Sequence, residues 1–254
     1  MREQWRRMVA ALRRRGSLTP DLEAAFSAVD RADFLPFARS DEAYSLQPLI
    51  TQTDGAGVPT STSSDPEIMA DMLGALRLSE GTRVLEVGTG TGYNAALLAH
   101  VTGAECVTTV EVDPELADRA AENLERAGFG GVDVVCGDGK RGFAPNSPYD
   151  RVIVTHAAGD VAPAWLEQTR AGGVVLLPWE SPIGAQVLAR MVVGEDGAAD
   201  GGVITPCVFL PDRAAARRRL SDSEKSRFLL SLDSSYTEWA LHCESDGRVS
   251  VGRQ

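Results

Sequence analysis

The sequence has few of the features that mark membrane, exported or metal-binding proteins. No apolar run approaches the roughly 18 to 20 residues that a bilayer-spanning helix needs. The basic N-terminus lacks the continuous apolar stretch and the small-residue cleavage site of a signal peptide. The cysteines are too far apart for a zinc knuckle; they are Cys106, Cys136, Cys207 and Cys243. We therefore predict a cytoplasmic chain with free thiols, no metal and no membrane partner.

Positive charge is also scarce. Lysine and arginine number 25 against 36 acidic residues, which gives a net charge of -11. Binding of nucleic acid needs a basic surface, so we predict no nucleic-acid partner. The acidic charge can serve solubility or the electrostatic steering of basic peptides, and both roles stay open.

What the sequence does contain is an alternation of strand and helix patterns. The chain has 254 residues, of which 43% are hydrophobic, enough for one large domain with or without an appendage. Apolar spacing predicts helices within residues 1–30, and residues 31–66 are expected to be mostly irregular. From residue 83 onward, short apolar strands alternate with helices, which is typical of a parallel sheet covered on both faces. Residues 187–193 and 202–209 are predicted as its antiparallel end.

We divide the chain into residues 1–210, one α/β domain, and residues 211–254, a C-terminal extension of different texture. Within the first part, residues 1–66 hold the N-terminal helices and a polar loop. In the extension, Arg213–Arg219 is predicted as helical, Ser221 begins a further helix, and residues 228–251 are expected to pack on the core.

A glycine-rich loop carries the strongest functional indication. The run Val84-Leu85-Glu86-Val87-Gly88-Thr89-Gly90-Thr91-Gly92-Tyr93 reads as a strand ending in an acid, then a loop that opens a helix. Dinucleotide enzymes use G-x-G-x-x-G, and Tyr93 stands where their last glycine would be. Glu86 would repel a pyrophosphate but attract an ammonium group. Together with Gly88, Thr89 and Gly90 it therefore favours S-adenosylmethionine over NAD.

Acidic residues also end the next two predicted strands. A carboxylate at Glu111 can accept both ribose hydroxyls, as in dinucleotide folds; the alternative is an exposed acid that opens a helix. Asp138 can accept the adenine amino group while its neighbours Gly137 and Gly139 admit the ring; the alternative is a plain turn. The joint spacing predicts a Rossmann-like, S-adenosylmethionine-dependent methyltransferase with a mostly parallel, doubly wound sheet.

At this point the sequence resembles the protein-L-isoaspartate O-methyltransferase family over residues 1–210. The markers besides the glycine loop are Val29-Asp30-Arg31-Ala32-Asp33-Phe34-Leu35-Pro36, Gly137-Asp138-Gly139 and Val154-Thr155-His156-Ala157-Ala158. The resemblance implies a carboxyl methyltransferase acting on isoaspartyl sites of peptides or proteins. It implies that Thr62 and Ser64 lie beside the methyl group and the acceptor carboxylate. It also places Gly88, Glu111, Asp138, Gly139 and Lys140 around the cofactor. With Glu86, Thr89, Gly90 and Val112, these residues form the predicted cofactor set.

The chain also departs from the family's pattern. Ser63 stands where the family has isoleucine, and His156 stands where it has a small residue, so we predict that both contact the substrate. Asp65 adds a negative charge near a site for carboxylates. These changes and the extension favour a branch that methylates aspartate in modified peptides, whose ester then collapses to an aspartimide.

Several residues and the function itself also allow a second interpretation. His156 can simply pack or make a surface hydrogen bond, and the hydroxyl run Thr60–Ser64 can be a polar linker. The chain can be a small-molecule methyltransferase on the same scaffold, or a module that binds cofactor or peptide without catalysis.

A carboxylate acceptor is already ionised at neutral pH, which removes the need for a general base.

Overall fold

The computed structural model describes residues 2–16, 18–181, 184–212 and 239–253. These residues form two compact units, Met1–Gly139 and Lys140–Gln254. The predicted division into residues 1–210 and 211–254 is a different partition and stays a prediction. The helix predictions for Arg213–Arg219 and from Ser221 lie outside the described residues. Within the described part of the chain, no helix combines the length and the apolar character needed to cross a membrane.

The first unit contains six α-helices and five strands among its described residues. The helices are α1 (Arg2–Arg15), α2 (Pro20–Ala28), α3 (Ser40–Ala43), α4 (Pro66–Leu76), α5 (Tyr93–Thr102) and α6 (Pro114–Arg126). The strands are β1 (Leu49–Thr53), β2 (Pro59–Ser63), β3 (Val84–Val87), β4 (Val107–Glu111) and β5 (Asp133–Cys136).

Three of these helices begin where an oxygen-bearing residue is followed by proline. Thr19, Asp65 and Asp113 each accept a hydrogen bond from a backbone N–H of the first turn. Proline at the next position has no N–H to satisfy, and its fixed φ suits the first turn. This local chemistry is the reason that the starts of α2, α4 and α6 follow from the sequence.

Strands β3, β4 and β5 pair in parallel, in that order. Every residue of β3 and of β4 is buried, as expected for parallel strands covered on both faces. Helix α5 connects β3 to β4, and α6 connects β4 to β5, so each is a crossover between parallel neighbours. The carboxyl ends of β3 and β4 therefore lie side by side.

The expectation that residues 31–66 are mostly irregular is wrong. Strands β1 and β2 form an antiparallel hairpin in which Ile50 pairs with Thr62 and Gln52 with Ser61. A turn closes it, because the Asp54 carboxylate accepts from the N–H groups of Ala56 and Val58 at 2.9 and 2.8 Å. The hydroxyl run is thus a strand and not a polar linker. Its strand character depends on pairing with β1, which local composition does not reveal.

The second unit confirms the predicted antiparallel end. Its elements are β6 (Tyr149–Val154), α7 (Pro163–Glu167), β7 (Thr169–Glu180), β8 (Gln186–Val193), β9 (Ala199–Pro206), β10 (Trp239–Cys243) and β11 (Val249–Arg253). Strands β6 and β7 are parallel, and each pairing from β7 to β11 is antiparallel. The fold is therefore α/β with both parallel and antiparallel strand pairs, and β10 and β11 continue the sheet of this unit.

Candidate cofactor and acceptor site

The glycine loop follows β3 directly and ends at the first residue of α5. Gly90 and Gly92 have φ of 57° and 86°, which side chains with a Cβ rarely adopt. A Cβ on Gly92 would also lie 3.2 Å from the Leu124 side chain and 3.3 Å from the Ala120 carbonyl oxygen. These glycines let the loop turn tightly from strand to helix while α6 packs against it.

Glu111 joins the end of β4 to this loop. Its carboxylate accepts from the Gly90 N–H at 2.9 Å and from the Asp113 N–H at 3.1 Å. The side chain is buried, so the alternative of an exposed acid opening a helix does not describe it. Each carboxylate oxygen has two lone pairs, and one protein hydrogen bond to each leaves acceptor capacity at the loop.

Glu86 lies beneath the loop and not on its surface. It is completely buried, and its carboxyl group accepts from Asn94 at 2.7 Å and from Thr109 at 2.6 Å. The Thr89 hydroxyl lies 2.7 Å from that of Thr109, which extends the network into the loop. Burial raises the pKa of Glu86 to about 7, although the hydrogen bonds from Thr109 and Asn94 oppose that shift.

This burial changes how the acid acts. A carboxyl group held below the loop shapes it through Thr89 and Thr109, whereas the sequence predicted a charge displayed toward a ligand. Thr109 and Asn94 were not predicted as members of the site. A period-two pattern on β4 places Thr109 on the same face as Glu111 and could have pointed to it.

The segment after β5 approaches β3 very closely. A Cβ on Gly139 would lie 2.4 Å from Val87 Cγ1, so only glycine fits there. Asp138 is exposed beside it, and Val112, just after β4, is 54% exposed. The predicted contacts of these residues with a cofactor stay predictions.

Two predicted site residues belong to the second unit. Lys140 forms an ion pair with Asp212 at 2.6 Å, so its ammonium group has a carboxylate partner within that unit. His156 is half-buried in the segment after β6, where the next residue, Ala157, bonds to Leu210 and Asp212 through its backbone. The predicted roles of Lys140 and His156 stay predictions.

The predicted acceptor segment lies against the glycine loop. A Cβ on Gly90 would be 3.9 Å from the Ser61 hydroxyl and 4.0 Å from the Thr62 carbonyl oxygen. Thr62 and Ser64 are both half-buried and two residues apart, whereas Ser61 and Ser63 are buried. Because side chains alternate along a strand, Thr62 and Ser64 share the more accessible side of the segment.

Ser63 and Asp65 have structural tasks. The buried Ser63 hydroxyl accepts from Arg31 at 3.2 Å, and its predicted substrate contact remains a prediction. Asp65 caps α4 by accepting from the Glu67 N–H at 2.7 Å. Burial raises the pKa of the Asp65 carboxyl group. The negative charge beside the acceptor segment is therefore explained by helix capping.

Metal-ligating side chains do not cluster within the part of the chain that the structure describes. No group of three or more His, Cys, Asp or Glu residues there could hold a metal ion. All four cysteines are free thiols. The groups gathered at the loop are thus carboxyl, hydroxyl and backbone groups.

Comparisons with known proteins agree on one family. The family model described as Protein-L-isoaspartate(D-aspartate) O-methyltransferase (PCMT) matches residues 3–216. The protein-L-isoaspartate O-methyltransferase of Ignicoccus hospitalis is 38% identical over 213 residues, covering 83% of this chain and 98% of that relative. The enzyme of the same name from Hyperthermus butylicus is 38% identical over 223 residues, covering 83% and 88%.

Solved structures agree with these relatives. A structure titled protein-L-isoaspartate O-methyltransferase superposes with a TM-score of 0.77 at 26% identity, covering 100% of this chain and 88% of that one. A Plasmodium falciparum structure, described as a putative member in complex with S-adenosyl-L-homocysteine, has a TM-score of 0.68 at 18% identity. It covers 80% of this chain and supports the fold alone. The chain belongs to the protein-L-isoaspartate(D-aspartate) O-methyltransferase family.

Proposed function

We propose that this chain is an S-adenosylmethionine-dependent carboxyl O-methyltransferase that acts on isoaspartyl residues of peptides or proteins. Family membership supports the reaction class, and the relatives carry that activity in their names. One structural observation carries the proposal for this chain: β2, which contains Thr62 and is followed directly by Ser64, lies against the loop whose Gly90 is bonded to Glu111. The proposed acceptor segment and the glycine loop are therefore adjacent in the same unit.

The cofactor would be held at the carboxyl ends of β3, β4 and β5. Glu111 keeps lone pairs for two ribose hydroxyls, and Gly88, Thr89 and Gly90 provide a backbone that a ligand can approach closely. Val112 offers an exposed apolar surface beside Glu111, and Asp138 offers an exposed carboxylate. Glu86 supports the loop from below. Gly139 completes the proposed set within this unit.

When bound, S-adenosylmethionine would supply an electrophilic methyl group on a sulfonium, with the neutral thioether S-adenosylhomocysteine as the leaving group once the acceptor oxygen bonds to the methyl carbon. The chain's own residues then have only to bind, orient and desolvate the acceptor. A carboxylate with an ordinary pKa near 4 is ionised at neutral pH, so no residue has to remove a proton. Hydroxyls of Thr62 and Ser64 would donate to its oxygens and orient it. Alignment and exclusion of water can supply several kcal/mol of the barrier reduction.

The methyl ester would then react further without the enzyme. The backbone nitrogen of the following residue attacks the ester carbonyl, a C–N bond forms, and methoxide leaves with the amide proton as methanol. The product is a succinimide. We include this step in the proposal because an ester is a better electrophile than the carboxylate that it replaces.

A single assay tests the proposal. The protein is incubated with labelled S-adenosylmethionine and a pair of peptides that differ only in having isoaspartate or aspartate at one position. We expect label in the isoaspartyl peptide, and by mass spectrometry the gain of one methyl group followed by loss of methanol. Transfer only to small molecules, or cofactor binding without transfer to any acceptor, would contradict the proposal and favour one of the other two function classes.

The same assay addresses the aspartate-modifying alternative. The part that residues 211–254 are predicted to play in that branch stays a prediction. Asp65 is explained as a helix cap. Ser63 and His156, which depart from the family's isoleucine and small residue, still support the alternative. Methylation of the aspartyl peptide in preference to its isoaspartyl twin would establish the alternative.

A further inference from the structure

Arg31 is a buried cation that holds the acceptor segment in place. It lies in a short 3-10 turn, Arg31–Phe34, and is 0% exposed. Its guanidinium group donates to carbonyl and hydroxyl oxygens of two chain segments. The acceptors are Ala43 O at 3.2 Å, Ser45 O at 3.1 Å, Gln47 O at 3.5 Å, Ser63 O at 3.3 Å, Ser63 Oγ at 3.2 Å and Ser64 O at 2.9 Å.

These acceptors flank the hairpin on both sides. Residues 43–47 lead into β1, and residues 63–64 end β2, so one guanidinium fork ties both outer ends of the hairpin together. The neighbouring Asp30 strengthens this arrangement. Its carboxylate caps the 3-10 turn at the Ala32 N–H and also accepts from the Tyr44 hydroxyl at 2.8 Å. The Asp30-Arg31 pair thus anchors the whole hairpin base.

Among the described residues, no carboxylate neutralises this guanidinium group by direct contact. None of the ion pairs within the described ranges involves Arg31, and its Nε has no hydrogen-bond partner there. Burial lowers the pKa of Arg31, with Tyr93 and Asp65 opposing the shift from a distance. Removing a cation from water is costly unless its surroundings compensate. Here carbonyl and hydroxyl dipoles do so.

We propose that Arg31 is a positioning residue for methyl transfer. Its fork fixes the backbone of Ser63 and Ser64, and its charge sets a positive potential beside the acceptor segment that favours a carboxylate over a neutral acceptor. This inference rests on the proposed function for its link to turnover. The effect of Arg31 on the hairpin backbone can be tested separately, without an activity assay.

Arg31→Lys is the informative variant, because it keeps the charge and loses the fork. Lysine has three donors on a single nitrogen, whereas the planar guanidinium group has five donors spread over three nitrogens. A lysine therefore cannot replace all six contacts of the guanidinium group. Arg13→Lys is the matched control, since Arg13 is an exposed arginine of α1 paired with Glu23.

Amide hydrogen exchange measures the restraint directly. In Arg31→Lys we expect amides of residues 61–65 to exchange about tenfold faster, while residues 84–92 stay within about twofold of the unmodified protein. Arg13→Lys should match the unmodified protein in both segments. Unchanged exchange at residues 61–65 in a folded Arg31→Lys protein would overturn the proposal. So would an equal loss of protection in both segments, because that pattern indicates a general structural role.

Turnover separates this inference from the proposed function. With an isoaspartyl peptide we expect kcat of Arg31→Lys to fall by about 10 to 100-fold, whereas the Kd for S-adenosylhomocysteine should rise by no more than about threefold, the change expected from a looser hairpin. Unchanged kcat would overturn the positioning role. If exchange rises as expected but the unmodified protein methylates no isoaspartyl peptide, the proposed function fails and the restraint stands.

A milder variant covers the case in which Arg31→Lys does not fold. Ser63→Ala removes one acceptor of the fork, the Ser63 hydroxyl, and leaves the carbonyl contacts in place. We expect about threefold faster exchange, confined to residues 61–65. Unchanged amide exchange at residues 61–65 in this variant would contradict the proposal that Arg31 positions this segment.

Discussion

Two glutamates on neighbouring strands act at the same loop in different ways. Glu111 bonds the Gly90 backbone from the end of β4 and keeps acceptor capacity for a ligand. Glu86 lies below, bonded to Thr109 and Asn94, and is completely buried. The Glu111 carboxylate is thus suited to bind ribose hydroxyls, whereas the buried Glu86 carboxyl group supports the shape of the loop. Their different surroundings lead to separate predictions.

Replacing Glu111 should weaken cofactor binding. We expect Glu111→Ala to reduce the affinity for S-adenosylmethionine by about 1.5 to 3 kcal/mol, the scale for losing a charged hydrogen-bond acceptor. Titration calorimetry measures this, with circular dichroism to verify folding. Glu111→Gln, which keeps one acceptor oxygen for Gly90, should lose less. Unchanged affinity in a folded Glu111→Ala protein would remove Glu111 from the cofactor site.

Replacing Ser64 should affect turnover more than binding. The Ser64 hydroxyl is assigned to orienting the acceptor, whereas its carbonyl carries the contact with Arg31 and remains after substitution. We expect Ser64→Ala to lower kcat by about tenfold or more and to leave the Kd of the cofactor within about twofold. Ser147→Ala, whose hydroxyl bonds a local carbonyl, is the control. Full activity of Ser64→Ala would locate the acceptor elsewhere.

Glu86 should make stability depend on pH in an unusual direction. Its pKa is raised from 4.5 to about 7 in the folded chain. The protonated form is therefore favoured by folding, so this contribution is complete below about pH 4.5 and is lost as the pH rises through about 7. Glu86→Gln stays neutral throughout. Relative to the unmodified protein it should gain on the order of 3 kcal/mol in unfolding free energy between about pH 5 and about pH 8.

Denaturant titrations of the two proteins across that pH range test this prediction. All remaining titrating groups are common to both proteins, so the difference between the two free energies isolates Glu86. A difference that does not change with pH would mean that Glu86 titrates alike in the folded and unfolded states, and that the network with Thr109 and Asn94 offsets its burial.

At the scale of elements, the β1–β2 hairpin contacts the glycine loop with β2 and the start of α6 with β1. Ser61 and Thr62 of β2 lie against Gly90. On β1, the Gln52 side chain donates to Asp113 at 2.9 Å, in the segment that follows Glu111 and caps α6. The hairpin therefore contacts the segments that follow β3 and β4, two of the three strands that form the proposed cofactor site.

Loosening the Gln52 contact should affect the hairpin and the cofactor together. We expect Gln52→Ala to raise amide exchange in residues 49–63 about threefold and to speed cofactor dissociation by a similar factor. Thr53→Ala, an exposed change on the same strand, is the control. If exchange rises but the dissociation rate does not, the hairpin does not retain the cofactor.

At the scale of the whole molecule, local chemistry was predictable and distant contacts were not. The starts of α2, α4 and α6 follow from a capping oxygen and a proline that are adjacent in sequence. The glycine loop and the ends of β3 and β4 follow from glycine spacing and apolar runs. Each of these features is decided within a few residues.

The hairpin and its anchor depend on residues far apart in sequence. The sequence of β2 is a run of polar residues, and it forms a strand because it pairs with β1. Arg31 donates hydrogen bonds to Ser63 and Ser64. They lie 32 and 33 positions after it in the sequence, so no local pattern predicts this contact. Thr109 and Glu86 are 23 residues apart and meet because β3 and β4 are parallel neighbours. The positions of Glu86 and Glu111 at the strand ends therefore follow from the sequence, whereas the distant residues Arg31 and Asn94 and the pairing of β1 with β2 do not.

The central claim is that β2 presents the acceptor to a cofactor held at Glu111. A crystal structure with S-adenosylhomocysteine and an isoaspartyl peptide tests it most directly. We predict ribose hydroxyls within hydrogen-bond distance of the Glu111 carboxylate, and the acceptor carboxylate bonded to the Thr62 or Ser64 hydroxyl. A ribose away from Glu111, or a peptide carboxylate away from residues 62–64, would contradict the account.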